Sequence, residues 1–418
     1  MAEVSIDGDR LIRELFELAA MTDAEPVPGA NAVTRVVFSD RDLQARAWLK
    51  NLAIADGLSV REDAVGNLFL RMDGLDPELA AVGTGSHTDA IPGAGMYDGT
   101  VGVLGGLAAM RSLRRSGVRP RRSIELVMFT SEEPTRFGVG CLGSRLMSGV
   151  LDGAKADALV DAEGLTLAEV RGRAGLSGDL ASVRLSPGHY AGWVELHIEQ
   201  GPLLERDDVA IGIVTEIAAP AGYRFTIEGL GGHAGALLMP DRRDALCAAA
   251  EVILAVERNA LATGAIDTVA TVGTCGVYPG AVNSVPSRVV LELDIRDTDA
   301  ERREGVMRHV RRSMAEIAER RGVRILEETV NADLPARSSA EIVAMIEAAC
   351  SGTGVRSQPM VSRAYHDTLF MARIAPAAMI FIPCRGGVSH RPEEYAAPAD
   401  IVRGAEVLAR TLARLGSR

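Results

Sequence analysis

Five short segments between residues 87 and 390 carry the side chains a divalent cation would seek. They are Gly85-Ser86-His87-Thr88-Asp89, Tyr97-Asp98-Gly99, Ser131-Glu132-Glu133-Pro134, Glu195-Leu196-His197-Ile198-Glu199-Gln200 and Ser389-His390-Arg391-Pro392. Together they offer three imidazoles, a lone carboxylate and an adjacent carboxylate pair. That inventory suits a two-metal hydrolase, in which one carboxylate bridges the ions, the other ligands divide between them, and a spare glutamate moves protons. Glu132 and Glu133 are the sharper signal, because like charges side by side are costly unless a cation or a raised pKa relieves them. Neighbours at a strand end point in different directions. One glutamate can therefore ligate while the other takes a proton from water and returns it to a leaving nitrogen. The plain alternatives are a solvated acidic turn for the pair and a turn or helix cap for Asp98. Asp89 is a candidate partner for the second ring nitrogen of His87, since ligating histidines commonly donate that N–H to a carboxylate. A donor set of imidazole and carboxylate without thiolate accommodates zinc, manganese, cobalt or nickel.

A second polar set lies further on. His233 sits in Leu230-Gly-Gly-His-Ala-Gly235, Asn283 in Gly280-Ala-Val-Asn-Ser-Val-Pro286, and Arg296 in Asp294-Ile-Arg-Asp297. Arginine is the natural fork for a carboxylate and asparagine can donate to the same group. His233 could donate to a developing oxyanion. For Arg296 a salt bridge with Asp294, Asp297 or Asp299 competes, and the residues alone favour it.

Several elements must position these groups. Amphipathic spacing predicts helices over 8–22 and 39–57, and Ser59–Leu70 reads as two short strands around a turn. Ala80–Ser86 is a short apolar run ending at His87. A helix over Thr100–Leu113 follows Asp98, Ile124–Thr130 is a strand ending at the glutamate pair, and Trp193–Leu196 is a strand ending at His197. Ligands of open α/β sheets bind beyond the carboxyl ends of strands, where three of the five segments fall. From Tyr223 the order is strand (223–228), helix (243–259), strands (268–275 and 288–296), helix (300–321) and strand (324–330), the split-βαβ or ferredoxin-like arrangement. The expected fold is therefore α/β, with a catalytic domain of residues 1–216 and 331–418 interrupted by an α+β insertion at 217–330. His390 must return to the site built by the first half.

At 418 residues, with 47% hydrophobic and 24% charged residues, the chain has the composition of a globular protein of about two domains. A formal charge of −11 argues against nucleic acid or an anionic membrane as the main partner. The five cysteines are odd in number, widely spaced and free of CxxC pairs, which points to thiols in a reducing compartment. The acidic N-terminal stretch does not read as a signal peptide, and no apolar run reaches the ~18 residues of a membrane span. The expected location is the cytoplasm.

These motifs resemble those of the metal-dependent amidase family that includes N-carbamoyl-L-amino acid hydrolases, β-ureidopropionases and allantoate amidohydrolases. The resemblance runs from about residue 30 to the C-terminus. Within the family it is strongest to ureide-degrading members, on Thr130–Gly138, Cys141–Leu146, Ser362–Arg373 and Phe381–Tyr395. It implies a dinuclear, aminopeptidase-like catalytic domain with an inserted lid and dimerisation domain, hydrolysis of a ureido C–N bond, and a homodimer acting on a small ureido acid. Two divalent ions are implied, manganese being the metal of the ureide-degrading members. His87 and His197 would hold one ion, Glu133 and His390 the other, and Asp98 would bridge them. Glu132 would be the general acid/base. Gln200, Asn283 and Arg296 would bind substrate, and His233 would stabilise the oxyanion from the partner's small domain. His366 and Asp367 also match the subgroup, without an assigned role.

Overall fold

A computed structural model describes residues 4–418, so the first three residues of the acidic N-terminal stretch lie outside it. By its internal packing the chain falls into two units. One comprises residues up to Thr215, Arg337–Ser362 and His366–Arg418; the other comprises Glu216–Ala336 and Arg363–Tyr365. The short segment Arg363–Tyr365 joins the second unit for a local reason. The Arg363 carbonyl accepts from Arg296 at 3.2 Å and the Tyr365 hydroxyl donates to Asp333 at 2.6 Å.

The first unit is a mixed α/β structure around a nine-stranded sheet. Its central run is Ile211–Ile217, Ala377–Ile382, Tyr190–Ile198, Ala81–His87, Ile124–Phe129, Leu68–Met72 and Ser59–Glu62. The four middle strands, from Ala377–Ile382 to Ile124–Phe129, are mutually parallel. Both faces of that run are covered, so the strands read as continuous apolar stretches rather than alternating ones. Along Tyr190–Ile198 the side chains of Val194, Leu196 and Ile198 enter one core, with residues of the helices Thr100–Arg115 and Pro398–Gly416. Trp193 enters the other core, beside Phe129 and Leu142. A strand has period two, so His197 shares the Trp193 face. Val82 marks the same helix-side core and Ala81 the opposite one, and His87 shares the parity of Ala81. Parity alone thus directs both histidines to one face. Gly83 is required there, because a Cβ would stand 2.3 Å from the Trp193 ring.

The second unit is a four-stranded antiparallel sheet with two helices. Its strands, in spatial order, are Val269–Tyr278, Arg288–Asp297, Ala219–Glu228 and Arg324–Ala332. Chain order along the sheet is therefore 2-3-1-4, the split-βαβ topology. The helices Ala245–Leu261 and Ala300–Arg321 pack on it through Val252, Val256, Met307 and Val310, forming a separate core with Phe225, Ile227, Leu291 and Ile295. Each helix is N-capped by an aspartate, Asp244 and Asp299. Among the described residues no helix is long and apolar enough to cross a membrane.

Candidate metal centre and substrate residues

All four central parallel strands end at a predicted ligand or lead directly to one. His87 is the last residue of its strand, and His197 is the penultimate residue of Tyr190–Ile198. Glu132 and Glu133 follow Ile124–Phe129, and His390 follows Ala377–Ile382 through a short turn. Asp98 precedes the helix Thr100–Arg115, whose N-cap Gly99 has φ of 64°. Glycine is needed at that cap, because a Cβ would lie 2.4 Å from His87 Nε2. Ser131, Gln200 and His390, each next to or among the predicted site residues, hold φ values of 57°, 56° and 57° without being glycine, a locally strained backbone.

The side chains form two trios that share one carboxylate. His87, Asp98 and His197 present ligand atoms within 4.8 Å of one another, and so do Asp98, Glu133 and His390. Asp98 Oδ1 lies 3.1 Å from His197 Nε2 and 3.7 Å from His87 Nε2. Its Oδ2 lies 3.2 Å from His390 Nε2, which is 3.4 Å from Glu133 Oε1. The Gln200 side-chain amide donates to the same Oδ2 at 2.8 Å, while the Gln200 carbonyl oxygen is buried without a partner.

Tautomers follow from the backbone. His87 Nδ1 is 3.0 Å from the Asp89 carbonyl, and His197 Nδ1 is 2.8 Å from the Ile198 carbonyl. A carbonyl only accepts, so each Nδ1 carries the proton and each neutral ring turns its Nε2 lone pair inward. The Gly99 N–H donates to His197 Nε2 at 3.2 Å, in keeping with that assignment. Lone pairs would then face the Asp98 carboxylate, an arrangement that needs a proton or a cation between them. Five donors of this kind, without thiolate, fit a pair of divalent ions.

Without a cation, protons would fill that place. Against burial, which lowers both, the pKa values of His87 and His197 are raised, that of His87 first by Glu132 and that of His197 first by its hydrogen bond to Asp98. Burial works against ionised Asp98, yet hydrogen bonds from His197, His390 and His87 hold it well below the ordinary carboxylate range. Burial, reinforced by Asp98, pushes Glu133 up to about 7. His390 is raised to about 9, chiefly by its hydrogen bond to Asp98. Glu132 belongs to neither trio. It is pushed well above its usual value by burial, with repulsion from Glu133, Asp367 and Asp98 against the attraction of His87. Its Oε2 stands 3.6 Å from His87 Nε2, and its Oε1 accepts from the Cys141 thiol at 3.3 Å. A carboxyl poised in this way can accept and return a proton.

Other groups supply the framework. The Asp89 carboxylate does not engage the His87 ring, from which it is 3.8 Å away; it accepts instead from the backbone N–H groups of Glu132 and Glu133 at 3.2 and 3.0 Å. Sequence reasoning also passed over Glu394. Its carboxylate accepts from the N–H groups of Tyr97 and Asp98 at 2.9 and 3.0 Å and from the Ser389 hydroxyl at 2.8 Å, tying the Asp98 loop to the His390 loop. The one available signal was a second acidic pair, Glu393–Glu394, four residues after His390. His366 stacks edge-on against His197 with ring centroids 4.5 Å apart, and burial lowers its pKa well below the usual value. Asp367 accepts from the Ser144 hydroxyl at 2.5 Å and is raised by burial to about 8.

In the second unit, His233 and Asn283 come together and Arg296 stands apart. Gly232–His233 pairs with Ser284–Val285, and the Ala234 N–H donates to the Asn283 carbonyl at 2.9 Å. The Gly235 N–H donates to His233 Nδ1 at 3.1 Å, so the exposed Nε2 is the protonated nitrogen and an outward donor. Arg296 pairs across the sheet with Pro220, whereas the His233 loop leaves the sheet beyond Glu228, opposite Arg288. Eight residues of one strand separate those ends, roughly 26 Å at the usual rise. The Arg296 fork is engaged by Asp294 at 2.8 and 3.1 Å, the competing salt bridge anticipated for it.

A mixed α/β unit with paired ligand trios at the ends of parallel strands is the architecture of metal-dependent hydrolases. Peptidase family M20/M25/M40 matches residues 72–414, and the chain belongs to it. It is 51% identical over 98% of its length to a ureidoglycolate hydrolase of Oryza sativa subsp. japonica, covering 85% of that protein. To an N-carbamoyl-L-amino acid amidohydrolase of Geobacillus stearothermophilus it is 40% identical, covering 98% of this chain and 99% of that one. Among solved structures, AtUAH in complex with glyoxylate superposes with a TM-score of 0.88 at 49% identity, over 99% of both chains. Aminopeptidase PepT from Bacillus cereus shares the fold, with a TM-score of 0.68 at 16% identity.

Proposed function

We propose that this chain is a metal-dependent amidohydrolase that cleaves the ureido C–N bond of ureidoglycolate, yielding glyoxylate, ammonia and CO2. The observation that carries this reading is the pair of ligand trios sharing Asp98, with Glu132 beside them and outside both. The substrate is suggested by the 50% and 51% identity to the ureidoglycolate hydrolases of Arabidopsis thaliana and Oryza sativa. It is also suggested by the complexes of the related AtUAH with glyoxylate and with (S)-hydroxyglycine, the final product and the amine that hydrolysis would release.

His87 and His197 would hold one divalent ion and Glu133 and His390 the other, with Asp98 common to both; manganese is the proposed metal, with zinc, cobalt and nickel as alternatives. When bound, such ions supply Lewis-acid polarisation of the ureido carbonyl and offset the negative charge of the cluster. Glu132 takes a proton from the attacking water and delivers it to the departing nitrogen, which needs a carboxyl whose pKa is raised toward neutrality. Gln200, held against Asp98, offers its free carbonyl oxygen to a substrate N–H. Arg296 would receive the substrate carboxylate at the expense of its bond to Asp294, and Asn283, which lies beside His233, would reach the substrate from the partner chain as His233 does. The amine released, hydroxyglycine, carries hydroxyl and amino groups on one carbon and collapses to glyoxylate and ammonia, while the carbamate half yields CO2 and a second ammonia.

His233 would donate through Nε2 to the oxyanion of a partner's site. Two features of the second unit support a homodimer and this exchange. His233 and Arg296 are too far apart to touch one small substrate from the same chain. The edge strand Val269–Tyr278 is ten residues long, largely exposed and without a charged residue or proline, a ready template for pairing with a second copy. On this reading the first unit is catalytic and the second is the lid and dimerisation domain, in a cytoplasmic enzyme. Ammonia release from ureidoglycolate, allantoate, N-carbamoyl-L-amino acids and β-ureidopropionate, with and without Mn2+, tests the substrate. Turnover of ureidoglycolate no faster than of the others would overturn the specific assignment in favour of a broader carbamoylase.

A further inference from the structure

The family match begins at residue 72, yet the most deeply buried arginine of the chain lies ahead of it. Arg35 is 0% exposed and among the described residues has no carboxylate in hydrogen-bond contact; its guanidinium donates to three backbone carbonyls. These are Met21 O at 3.0 Å, Leu18 O at 2.5 Å and Thr88 O at 2.7 Å. Thr88 is the residue between His87 and Asp89. The contact follows from register, since the strand Val33–Arg35 runs antiparallel to Ala90–Ala94 with Arg35 opposite Ala90. A second hydrogen bond, from Gly93 N–H to the Thr34 hydroxyl at 2.9 Å, fastens the same ladder.

A buried guanidinium without an ion-pair partner is costly, and a helix end alone would not demand one. Helix Gly8–Ala19 has no basic residue in its last turn, so two of the three bonds are accounted for by capping its Leu18 carbonyl and holding the Met21 carbonyl of the chain just beyond it. The third reaches the turn that aims His87 and places Asp89 under the backbone of both catalytic-loop glutamates. The nearby buried pair of Asp42 and Arg46 continues the brace: Arg46 donates to Asp42 at 2.8 Å, to the Gly66 carbonyl at 2.6 Å and to the Thr130 hydroxyl at 3.3 Å. Thr130 precedes the Ser131–Glu133 turn. Segment 33–46 therefore holds the ends of two central strands from behind.

We propose that Arg35 is a positioning residue for the metal centre: by clamping the Thr88 carbonyl it fixes the His87–Asp89 turn and so sets the affinity of the His87 metal position. The inference rests on the metal-site reading given above, and the experiment separates the two. Metal-stripped protein is titrated with Mn2+ by calorimetry for wild type, Arg35→Met, Arg35→Lys and Arg111→Met. Arg111 is another buried arginine, paired with Glu14 and Asp56 away from the site, and controls for loss of stability. Groups that orient metal ligands typically govern 10–100-fold in affinity. Arg35→Met is therefore expected to weaken one Mn2+ site about 10–100-fold and Arg35→Lys to fall between it and wild type, with Arg111→Met unchanged. Raising Mn2+ should restore turnover of Arg35→Met, with KM for ureidoglycolate unaltered.

Equal Mn2+ affinity in Arg35→Met and wild type, or equal loss in Arg35→Met and Arg111→Met, would reduce Arg35 to a helix cap and overturn the proposal. Should Arg35→Met not fold, Arg35→Lys decides: it keeps the charge but not the three-way fork, and an unaltered Mn2+ affinity would sink the idea. Failure of wild type to bind two Mn2+ ions would instead reject the metal-site reading itself.

Discussion

The polar residues of the two units live in opposite surroundings. At the strand ends of the parallel sheet, His87, Asp98, Glu132, Glu133 and His197 are buried and face one another, with His390 at the rim. In the antiparallel unit, His233 and Asn283 are exposed, and Arg296 sits at the other end of the sheet, occupied by Asp294. Burying several ionisable groups costs several kcal/mol for each one left uncompensated, so the first arrangement implies a resident cation. The second spends nothing on burial and completes nothing alone. Charge compensation can be finished within one folded unit, whereas the exposed His233 and Asn283 are set for groups outside their own unit's core.

Four experiments bear on that contrast, taken from the strongest effect down. Glu132→Gln should lower kcat roughly 10²–10⁴-fold while elemental analysis still finds both metals. Retention of most of the rate would assign proton transfer elsewhere. His233→Ala should lower kcat about 10²–10³-fold. Coexpressed with Glu132→Gln, it should regain activity if, as proposed, a mixed dimer joins an intact Glu132 to an intact partner His233. No recovery would return His233 to its own chain's site or remove it from catalysis. For Arg296→Ala a rise in KM is expected, corresponding to about 1.5–3 kcal/mol for a charge-assisted hydrogen bond. An unchanged KM would leave Arg296 as the partner of Asp294 and nothing more.

The mildest effect concerns pH and the metal-free protein. Glu133 has a folded pKa of about 7 against an ordinary 4.5, and His390 about 9 against 6.5. Both are raised on folding, so their stabilising contribution is complete below the lower values and is lost as pH rises through the higher ones. Asp98, held low, contributes in the opposite sense above 3.8 and changes little in this window. The melting temperature of stripped protein should therefore decline between about pH 5 and 9 relative to protein with Mn2+, whose binding favours ionised carboxylates. A constant gap across that range would mean the ligands are not the titrating groups.

Much of the fold was legible because the local signals agreed with one another. The predicted helix over 300–321 and the strand over 288–296 lie within a residue of Ala300–Arg321 and Arg288–Asp297. Ligand types at strand ends led to five side chains that do meet in space. Legibility stopped where a choice depended on contacts distant in the chain. Glu394 acts 296 residues from the Asp98 N–H it holds, and nothing local distinguishes it from Glu393. Asp89 was matched to its neighbour His87 because sequence displays adjacency, while its partners, the Glu132 and Glu133 amides, lie more than 40 residues away. Arg35 was invisible for the same reason, since a backbone carbonyl leaves no mark in a sequence.

The central claim is a dinuclear cluster that leaves Glu132 unliganded. A crystal grown with Mn2+ and read by anomalous scattering tests it most directly. Two peaks are expected, one among His87, His197 and Asp98 and the other among Asp98, Glu133 and His390, with the Glu132 carboxylate bound to neither. A single peak, no peak, or a Glu132 oxygen inside the coordination shell would contradict it.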